Sequence, residues 1–178
     1  QKNISLEIVR DMSVTNGHLD EDKLNKIISN LFSNAIKYTG IKGNVKLYIH
    51  CNEDKLKFTI EDDGVGIHFT ELSKIFERFY QAENSQGGGT GIGLALVKEL
   101  VRLHYGEVFA RSEPGKGSAF TVEIPVNQNF YAPNEISKDK ENESEEEVIT
   151  EEMTPSGKGI ILIVEDDKIF VISKVISL

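Results

Sequence analysis

Three polar residues in the first third of the chain are spaced so that they could hold a phosphorylated ligand. On a helix, Asn30, Asn34 and Lys37 would cluster on one flank, within about 60° of one another. Amide oxygens suit a hard cation such as Mg²⁺, and a lysine ammonium supplies a point charge for phosphate. Such side chains are also often simply hydrated, so both interpretations stay open for this helix alone.

Two glycine-rich segments could bring backbone close to the same ligand. Asp62-Asp63-Gly64-Val65-Gly66 ends a predicted strand. It could form a tight turn, or it could admit a planar ligand whose exocyclic amine donates a hydrogen bond to a carboxylate. The second segment, residues 87–93, opens a helix, so its N–H groups could form an anion site. It is not a P-loop, because Leu94 stands where Lys-Ser/Thr should follow, and the polar residues before it do not form the strand of a dinucleotide fingerprint.

Two predicted helices must position these groups. Asp20 can cap a helix that runs to about Tyr38, and a second helix is predicted from Leu94 to about His104. At about 100° per residue, the apolar residues of the first helix form one stripe. We predict that this stripe faces the core; its members are Leu24, Ile27, Ile28, Leu31 and Ala35.

Alternating apolar residues predict strands around both helices. They occur at residues 4–8, at 45–51 and 56–60 about a turn at 52–54, and at 107–112 and 118–124 about a turn at 114–117. We predict an α/β two-layer sandwich with a mixed, mostly antiparallel sheet and the helices on one face.

The bulk composition limits the class of protein. The chain has 178 residues, 39% of them hydrophobic, a net charge of −9 and one cysteine, Cys51. An acidic chain without a basic patch argues against a nucleic-acid partner. A single cysteine excludes an internal disulfide framework and suits a reducing compartment. No segment has the roughly 20 apolar residues of a membrane span, and the first residues lack the apolar core of a signal peptide. We therefore expect no membrane contact by this chain.

The acidic charge divides the chain. Residues 126–158 carry nine acidic and three basic residues, which amounts to −6 of the total −9. With few apolar residues, this segment is predicted to be a linker, and a solvated helix through residues 138–152 is the alternative. Beyond it, the apolar run 160–164 ends in Glu165-Asp166-Asp167, a pattern typical of a buried parallel strand with acids at its carboxyl end.

Taken in order, these segments resemble the GHKL (Bergerat-fold) ATP-binding family, and within it the histidine kinases. Five motifs carry the resemblance: residues 30–39 resemble the N box, 62–66 the first glycine box, 75–80 the F box, 89–94 the second glycine box and 115–120 the third. Together they lie within residues 1–125, about two-thirds of the chain. Five motifs in this order are hard to obtain by accident.

The resemblance implies a site for ATP and Mg²⁺. Asn34 would ligate the metal, and Asn30 would lie beside it near the metal or the phosphates. Lys37 would contact phosphate, Tyr38 would pack against adenine or sugar, and Asp62 would accept a hydrogen bond from the adenine amino group.

The glycine boxes and the F box supply the rest of the implied site. Gly64 and Gly66 would let the base sit close, with Ile67 beside them. The second box would wrap the phosphates; its residues are Gly89, Thr90, Gly91, Ile92, Gly93 and Leu94. Arg78 would either stabilise the γ-phosphate in the assembled kinase or form a structural salt bridge. The residues between Phe79 and Thr90 would be a mobile lid that closes over nucleotide.

Asn30 also separates phosphoryl transfer from hydrolysis. Hydrolysing relatives place a glutamate at this position to activate water, and an amide cannot act as a general base. Transfer to a histidine is favoured, since imidazole is already a nucleophile. None of the four histidines, His18, His50, His68 and His104, lies in a His-Glu/Asp-x-Arg/Lys acceptor motif. We expect them to be surface or packing residues, and the acceptor to lie on a dimerisation helix absent from this chain.

The tail is similar to the opening of a response-regulator receiver, with Glu165 and Asp166 as its Mg²⁺-binding acids. We divide the chain into a catalytic ATP-binding domain (1–125), an acidic linker (126–158) and the first strand and helix of a receiver (159–178). The expected partners are ATP, the kinase's histidine-bearing dimerisation domain and a receiver domain downstream. We expect a cytoplasmic domain of a membrane-anchored bacterial protein. The alternatives are a nucleotide-sensing module without phosphotransfer and an anti-sigma-type serine kinase, and the F box and receiver-like tail argue against the second.

Overall fold

A computed structural model describes residues 2–12, 19–82, 90–131, 160–165 and 168–173. Its elements are β1 (Ser5–Met12), α1 (Glu21–Tyr38), β2 (Asn44–Cys51), β3 (Lys55–Asp62), α2 (Gly93–Leu103), β4 (Glu107–Glu113), β5 (Gly117–Pro125), a 3-10 turn (Gln128–Phe130), β6 (Ile160–Glu165) and β7 (Lys168–Ser173). The predicted linker from residue 132 onward, most of the predicted lid, Gly89 and His18 lie outside the described residues.

The first five strands form one sheet in the order β1-β2-β3-β5-β4. β1 runs parallel to β2, and every other neighbouring pair is antiparallel. The parallel pair is possible because α1 connects β1 to β2 and carries the chain back across the sheet. The predicted fold class, an α/β sandwich with a mixed, mostly antiparallel sheet, is confirmed.

Both helices cover the same face of this sheet. Alternate residues of β2, β3 and β5 are buried and pack in one cluster with residues of α1 and α2, including Ile27, Leu31 and Val97. Each such side chain stabilises the fold by about 1.5–3 kcal/mol when it is fully buried. The other face is polar: the hydroxyls of Thr59 and Thr121 lie 2.9 Å apart, and Lys55 pairs with Glu123.

The predicted limits of α1 and most of its core stripe are confirmed. Asp20 is the N-cap, and its carboxylate accepts a hydrogen bond from the Lys23 backbone N–H at 3.0 Å. Four stripe residues are buried, and Leu24, at the end of the first turn of the helix, is only partly buried. Phe32, which the stripe did not include, is 1% exposed and widens the buried face. Neither α1 nor α2, the helices of the described residues, is long and apolar enough to cross a membrane.

The end of the chain differs from its prediction. The apolar run at residues 160–164 is a strand, β6, but a second strand, β7, occupies the positions where a helix was predicted. The two strands pair antiparallel, with Glu165 opposite Lys168. The physical reason lies in the sequence Ile-Phe-Val-Ile at 169–172, since aromatic and β-branched residues favour an extended chain that a neighbouring strand can pair with.

Candidate functional site

A cavity of about 350 Å³ opens between α1, the carboxyl end of β3 and the start of α2. Eleven of the residues predicted from the sequence line it: Asn30, Asn34, Lys37, Tyr38, Asp62, Gly66, Ile67, Thr90, Gly91, Gly93 and Leu94. The N box and the two glycine boxes, which are far apart in sequence, therefore meet at one site.

Three other predicted residues are described and do not line the cavity: Gly64, Arg78 and Ile92. Gly64 is buried directly behind Asp62, and Ile92 is exposed. Arg78 lies close enough to α2 to act on Glu99: a hydrogen bond from Arg102 is the main cause of the lowered Glu99 pKa, and the charge of Arg78 adds a smaller effect. Both interpretations of Arg78 stay predictions.

Asn30 joins the flank of α1 to the start of α2. Its Nδ2 donates a hydrogen bond to the carbonyl oxygen of Lys26 at 2.7 Å. Its Oδ1 faces Gly93, where a Cβ atom would lie only 2.8 Å away. Glycine at the first position of α2 thus allows the N-terminus of the helix to lie against the Asn30 side chain. A helix N-terminus attracts anions, so this side of the cavity favours a negatively charged group.

The last turn of α1 presents a cation and an aromatic ring to the cavity. Lys37 and Tyr38 both line it, and the Lys37 ammonium lies 5.0 Å from the centroid of the Tyr38 ring. A cation over an aromatic face is attracted by the ring's quadrupole, so each side chain restrains the other. The pair places one positive charge beside an apolar surface.

Asp62 is the carboxylate of the cavity. It ends β3, is 5% exposed, and its Oδ1 accepts a hydrogen bond from the Gly64 N–H at 2.9 Å. Burial raises its pKa to about 6, while hydrogen bonds from the backbone of Gly64 and Ser118 act in the opposite direction. Such a carboxylate has acceptor sites left for a donor that enters the cavity.

The adjacent Asp63 has a purely structural set of contacts. Its carboxylate accepts hydrogen bonds from the backbone N–H of Asn44 at 2.8 Å and from the Asn44 side chain at 2.7 Å. These bonds hold the Asp63 pKa below its ordinary value. Asp63 is exposed and ties the end of β3 to the start of β2, so only one of the two consecutive aspartates faces the ligand space.

The first glycine box fits between α1 and β4 because it has no side chains at two positions. A Cβ on Gly64 would lie 2.4 Å from the carbonyl oxygen of Tyr38. Gly66 has φ +70, and a Cβ there would lie 2.1 Å from the carbonyl oxygen of Glu113. The close approach seen here is thus to neighbouring backbone.

A hydroxyl connects the first and third glycine boxes. Ser112 Oγ accepts a hydrogen bond from the Ile67 N–H at 2.7 Å and donates one to the Gly117 carbonyl at 2.7 Å. It also lies 3.0 Å from Ser118 Oγ. This one side chain therefore joins the backbone just after the first glycine box to the start of β5, the strand that pairs with the end of β3.

Nine further residues line the cavity: Ser33, Val65, Glu71, Ile75, Tyr80, Gln81, Ala82, Ser118 and Phe120. Six of them lie inside motifs already identified in the sequence: Ser33, Val65, Ile75, Tyr80, Ser118 and Phe120. Glu71, Gln81 and Ala82 lie in the irregular segment after β3, where no periodicity predicts which side chains turn inward. The Tyr80 hydroxyl donates a hydrogen bond to Glu71 Oε1 at 3.0 Å, which closes this side of the wall.

The donor set limits how a cation could be held. The described residues contain no group of three or more His, Cys, Asp or Glu side chains placed to hold a metal ion. The amides of Asn30 and Asn34 line the cavity instead. Mg²⁺ prefers oxygen ligands and usually takes only a few of them from the protein, the others coming from the bound ligand and from water. The amide oxygens of Asn30 and Asn34 fit this requirement.

Comparison with known proteins gives the same family throughout. Residues 19–128 match the family described as histidine kinase-, DNA gyrase B-, and HSP90-like ATPase. The sensor histidine kinase WalK of Bacillus subtilis is 37% identical over 124 residues, which cover 67% of this chain and 20% of WalK. The circadian input-output histidine kinase CikA of Synechococcus elongatus is 35% identical over 179 residues, covering 90% of this chain and 24% of CikA.

A solved structure shares the fold. Full-length ShkA in complex with AMPPNP superposes with a TM-score of 0.63 and 30% identity, covering 71% of this chain and 26% of ShkA. The chain spans about a fifth of the length of WalK and about a quarter of CikA.

Proposed function

Because the chain belongs to the family of histidine kinase-, DNA gyrase B- and HSP90-like ATPases, we propose that its cavity binds Mg–ATP and presents the γ-phosphoryl group to a histidine. The observation that carries this proposal is the position of Asp62. It is a buried carboxylate that still lines the cavity, while amides and an ammonium stand on the α1 wall. A purine with an exocyclic amine and a phosphate chain matches that distribution of charge.

Each wall of the cavity has a role in this proposal. Asp62 accepts a hydrogen bond from the adenine amino group, and Tyr38 packs against the base or the sugar. Lys37 and the start of α2 at Gly93 attract the phosphates. Mg²⁺, held by Asn34 with Asn30 beside it, would neutralise charge on the phosphates during transfer. The residues of the second glycine box complete the phosphate side.

Asn30 favours transfer over hydrolysis. Its amide nitrogen is engaged with the Lys26 carbonyl, and an amide oxygen has no useful basicity, so this residue cannot take a proton from water. An imidazole nucleophile needs no such base. We therefore assign the chain to phosphoryl transfer within a two-component phosphorelay.

The acceptor histidine belongs, in this proposal, to a helical dimerisation domain of the parent protein. The His50 ring pairs with Asp11, the His68 ring contacts Thr70, and His104 is buried with Nδ1 2.8 Å from the Leu100 carbonyl. His18 lies outside the described residues. We also propose that residues 159–178 open a receiver domain behind the acidic linker. What supports this is the apolar run at residues 160–164 followed by Glu165-Asp166-Asp167, which is similar to the first strand and acidic cluster of a receiver.

Calorimetry on the full chain tests the adenine assignment. We expect Asp62→Asn to weaken Mg–ATP binding at least about tenfold, since an amide that turns its NH₂ toward adenine loses the charge-assisted hydrogen bond. Asp63→Asn is the matched control, because Asp63 contacts Asn44 and does not line the cavity. It should lower stability and leave affinity unchanged. Equal affinities for the original chain and Asp62→Asn would overturn the assignment.

Labelling with γ-phosphate-labelled ATP tests the transfer. The chain alone should give no stable phosphohistidine, and addition of the parent's dimerisation domain should give phosphohistidine on that domain. Binding of ATP without transfer to any such acceptor would favour the nucleotide-sensing alternative. Stable phosphohistidine on the chain alone would show that one of its own histidines is the acceptor, and this part of the proposal would be refuted.

A further inference from the structure

The carboxyl end of α1 is closed by a side chain from the first residues of the chain. The ammonium of Lys2 donates hydrogen bonds to three carbonyl oxygens, those of Ile36 at 3.1 Å, Lys37 at 2.6 Å and Thr39 at 3.0 Å. The last four carbonyls of a helix lack partners within it and carry partial negative charge. An ammonium at this point satisfies the carbonyls and complements the helix dipole.

Lys2 completes the bonding of this helix end. The Ala35 carbonyl accepts a hydrogen bond from the Thr39 N–H at 2.9 Å, and the Tyr38 carbonyl accepts one from the Val65 N–H at 3.3 Å. With the three bonds from Lys2, every carbonyl from residue 35 to residue 39 has a partner. Two separate segments therefore hold the last turn: the first glycine box on one side and Lys2 on the other.

The backbone around Lys2 is itself fixed. The Lys42 N–H donates to the Lys2 carbonyl at 2.8 Å, and the Ser5 N–H donates to the Gly43 carbonyl at 2.9 Å. Three residues further on, β1 begins its pairing with β2. The backbone of Lys2 is therefore held in place while its side chain extends to the carbonyl end of α1, unlike that of a lysine in a free terminus.

We propose that Lys2 is a positioning residue of the nucleotide cavity, acting through the last turn of α1. Lys37 and Tyr38 line the cavity, and the shortest of the Lys2 bonds is to the Lys37 carbonyl. When the ammonium is removed, three carbonyls must turn to water, and the last turn can fray. The Lys37 ammonium and the Tyr38 ring then lose their fixed placement. This inference rests on the proposed function, because its main readout is nucleotide affinity.

Two lysine substitutions, made in the full chain, separate positioning from general stability. Lys2→Met removes the ammonium and keeps most of the aliphatic stem, whereas Lys2→Arg keeps a cation that can donate to the carbonyls. Lys46→Met is the matched control: Lys46 pairs with Glu7 at 2.9 Å and so also ties β1 to the sheet, but it alternates with the buried residues of β2 and so stands on the sheet face away from α1. Lys2→Gln, which keeps a neutral donor, replaces Lys2→Met if the latter does not fold.

Two measurements are made well below the melting temperature. The first is Mg–ATP affinity, which should fall about fivefold in Lys2→Met and recover in Lys2→Arg. The second is hydrogen exchange of the Thr39 and Val65 amides without nucleotide, since both donate to carbonyls of this turn. Exchange should be faster in Lys2→Met than in the original chain. Lys46→Met should change neither.

The outcomes distinguish this inference from the proposed function. Unchanged affinity and unchanged exchange in Lys2→Met would overturn the positioning role, as would an equal effect of Lys46→Met. A lower melting temperature with unaltered affinity and exchange would mean that Lys2 only stabilises the fold, which also overturns it. If the original chain fails to bind Mg–ATP while exchange still accelerates in Lys2→Met, the proposed function fails and the control of the helix end by Lys2 stands.

Discussion

At the scale of the residue, the site depends on one carboxylate held in an unfavourable environment. Asp62 is buried, its neighbours Asp63 and Glu61 repel its charge, and only two backbone donors compensate. Charge in a desolvated position costs free energy unless it is paired. The arrangement makes sense if the missing partner is the ligand.

The stability of the chain should therefore depend on pH through Asp62. Burial raises its pKa from 3.8 to about 6, so the folded state holds this proton more tightly than the unfolded state. Its contribution to stability is greatest below about pH 4, falls as pH rises to about 6, and is constant above. The difference corresponds to about 3 kcal/mol. In urea unfolding, Asp62→Asn should be more stable than the original chain at pH 7.5, and this advantage should disappear near pH 4.

Nucleotide affinity should have the opposite dependence, because the ionised carboxylate is the better acceptor. Affinity of the original chain should decline as pH falls through about 6, in step with protonation of Asp62. Asp62→Asn should lack this decline. An equal pH response in both chains would show that another group controls binding.

Gly66 offers a third prediction at this scale. Gly66→Ala adds a Cβ 2.1 Å from the Glu113 carbonyl oxygen at φ +70, so the backbone must move. We expect a loss of more than about 2 kcal/mol in the free energy of unfolding. Gly115→Ala is the control: its φ is +78, but nothing lies within 4 Å of the added atom. There the loss should be only about 1 kcal/mol. Equal losses would contradict the close-approach argument.

The residues of the site were predictable to different degrees for physical reasons. Those on α1 follow from helical periodicity, and those in the glycine boxes follow from motifs whose order is specific. Glu71 and Gln81 could not be predicted, because in an irregular loop the direction of a side chain depends on tertiary contacts. Asp62 and Asp63 are chemically identical, but Asp62 is in phase with the buried residues of β3 and lines the cavity, whereas Asp63 is exposed and contacts Asn44.

At the scale of the element, the wall after β3 is held by backbone turns and one side-chain hydrogen bond rather than by a helix or strand. The Tyr80 hydroxyl donates to Glu71 at 3.0 Å, and both residues line the cavity. Tyr80 is also the first residue of the predicted lid, which lies between Phe79 and Thr90. The bond therefore ties the start of the predicted lid to Glu71.

Tyr80→Phe should release nucleotide faster. Loss of one hydrogen bond to a carboxylate should accelerate dissociation about fivefold, with only a small change in melting temperature. Tyr131→Phe removes an equivalent hydroxyl, bonded to the Pro125 carbonyl at 2.7 Å and away from the cavity wall. It should lower stability and leave dissociation unchanged. Stopped-flow measurement with a fluorescent ATP analogue compares the two, and similar rates for both variants would argue against a role of Tyr80 at the cavity.

Element types were largely predictable, and the exceptions have identifiable causes. α1 begins and ends as predicted because the N-cap at Asp20 and the continuous apolar stripe indicate the same helix. Phe32 falls just outside a narrow stripe, and the large ring reaches the core from the edge. β7 was mistaken for a helix because the expectation came from likeness to a receiver, whereas the local residues favour an extended chain.

At the scale of the whole molecule, the compact unit extends a few residues past the last strand of the main sheet. Val126 is 3% exposed, and its N–H donates to the Asp54 carbonyl at 2.8 Å. The Tyr131 ring packs edge-on against Tyr105, with ring centroids 5.8 Å apart. The predicted boundary at residue 125 thus falls inside a packed segment.

Two shortened chains test this boundary. A chain that ends at Tyr131 should keep the melting temperature and the nucleotide affinity of the full chain. A chain that ends at Ile124 loses the burial of Val126 and the aromatic pair, and its melting temperature should fall by roughly 5–10 °C. Differential scanning calorimetry gives both values. A marked loss in the longer of the two would mean that residues after 131 contribute to the fold.

The hydroxyl of Ser112 has a consequence for how this sequence can change over time. It bridges Ile67 and Gly117 and touches Ser118, so motifs about 50 residues apart share one bonding partner. Substitutions at Ser112 and Ser118, whose hydroxyls share this network, should then be epistatic: the effect of one depends on which residue stands at the other position, and their free energies do not add. Drift at these two positions would proceed by compensating pairs, and a third glycine box transplanted from a relative would bring its benefit only when the residue at position 112 is transplanted with it.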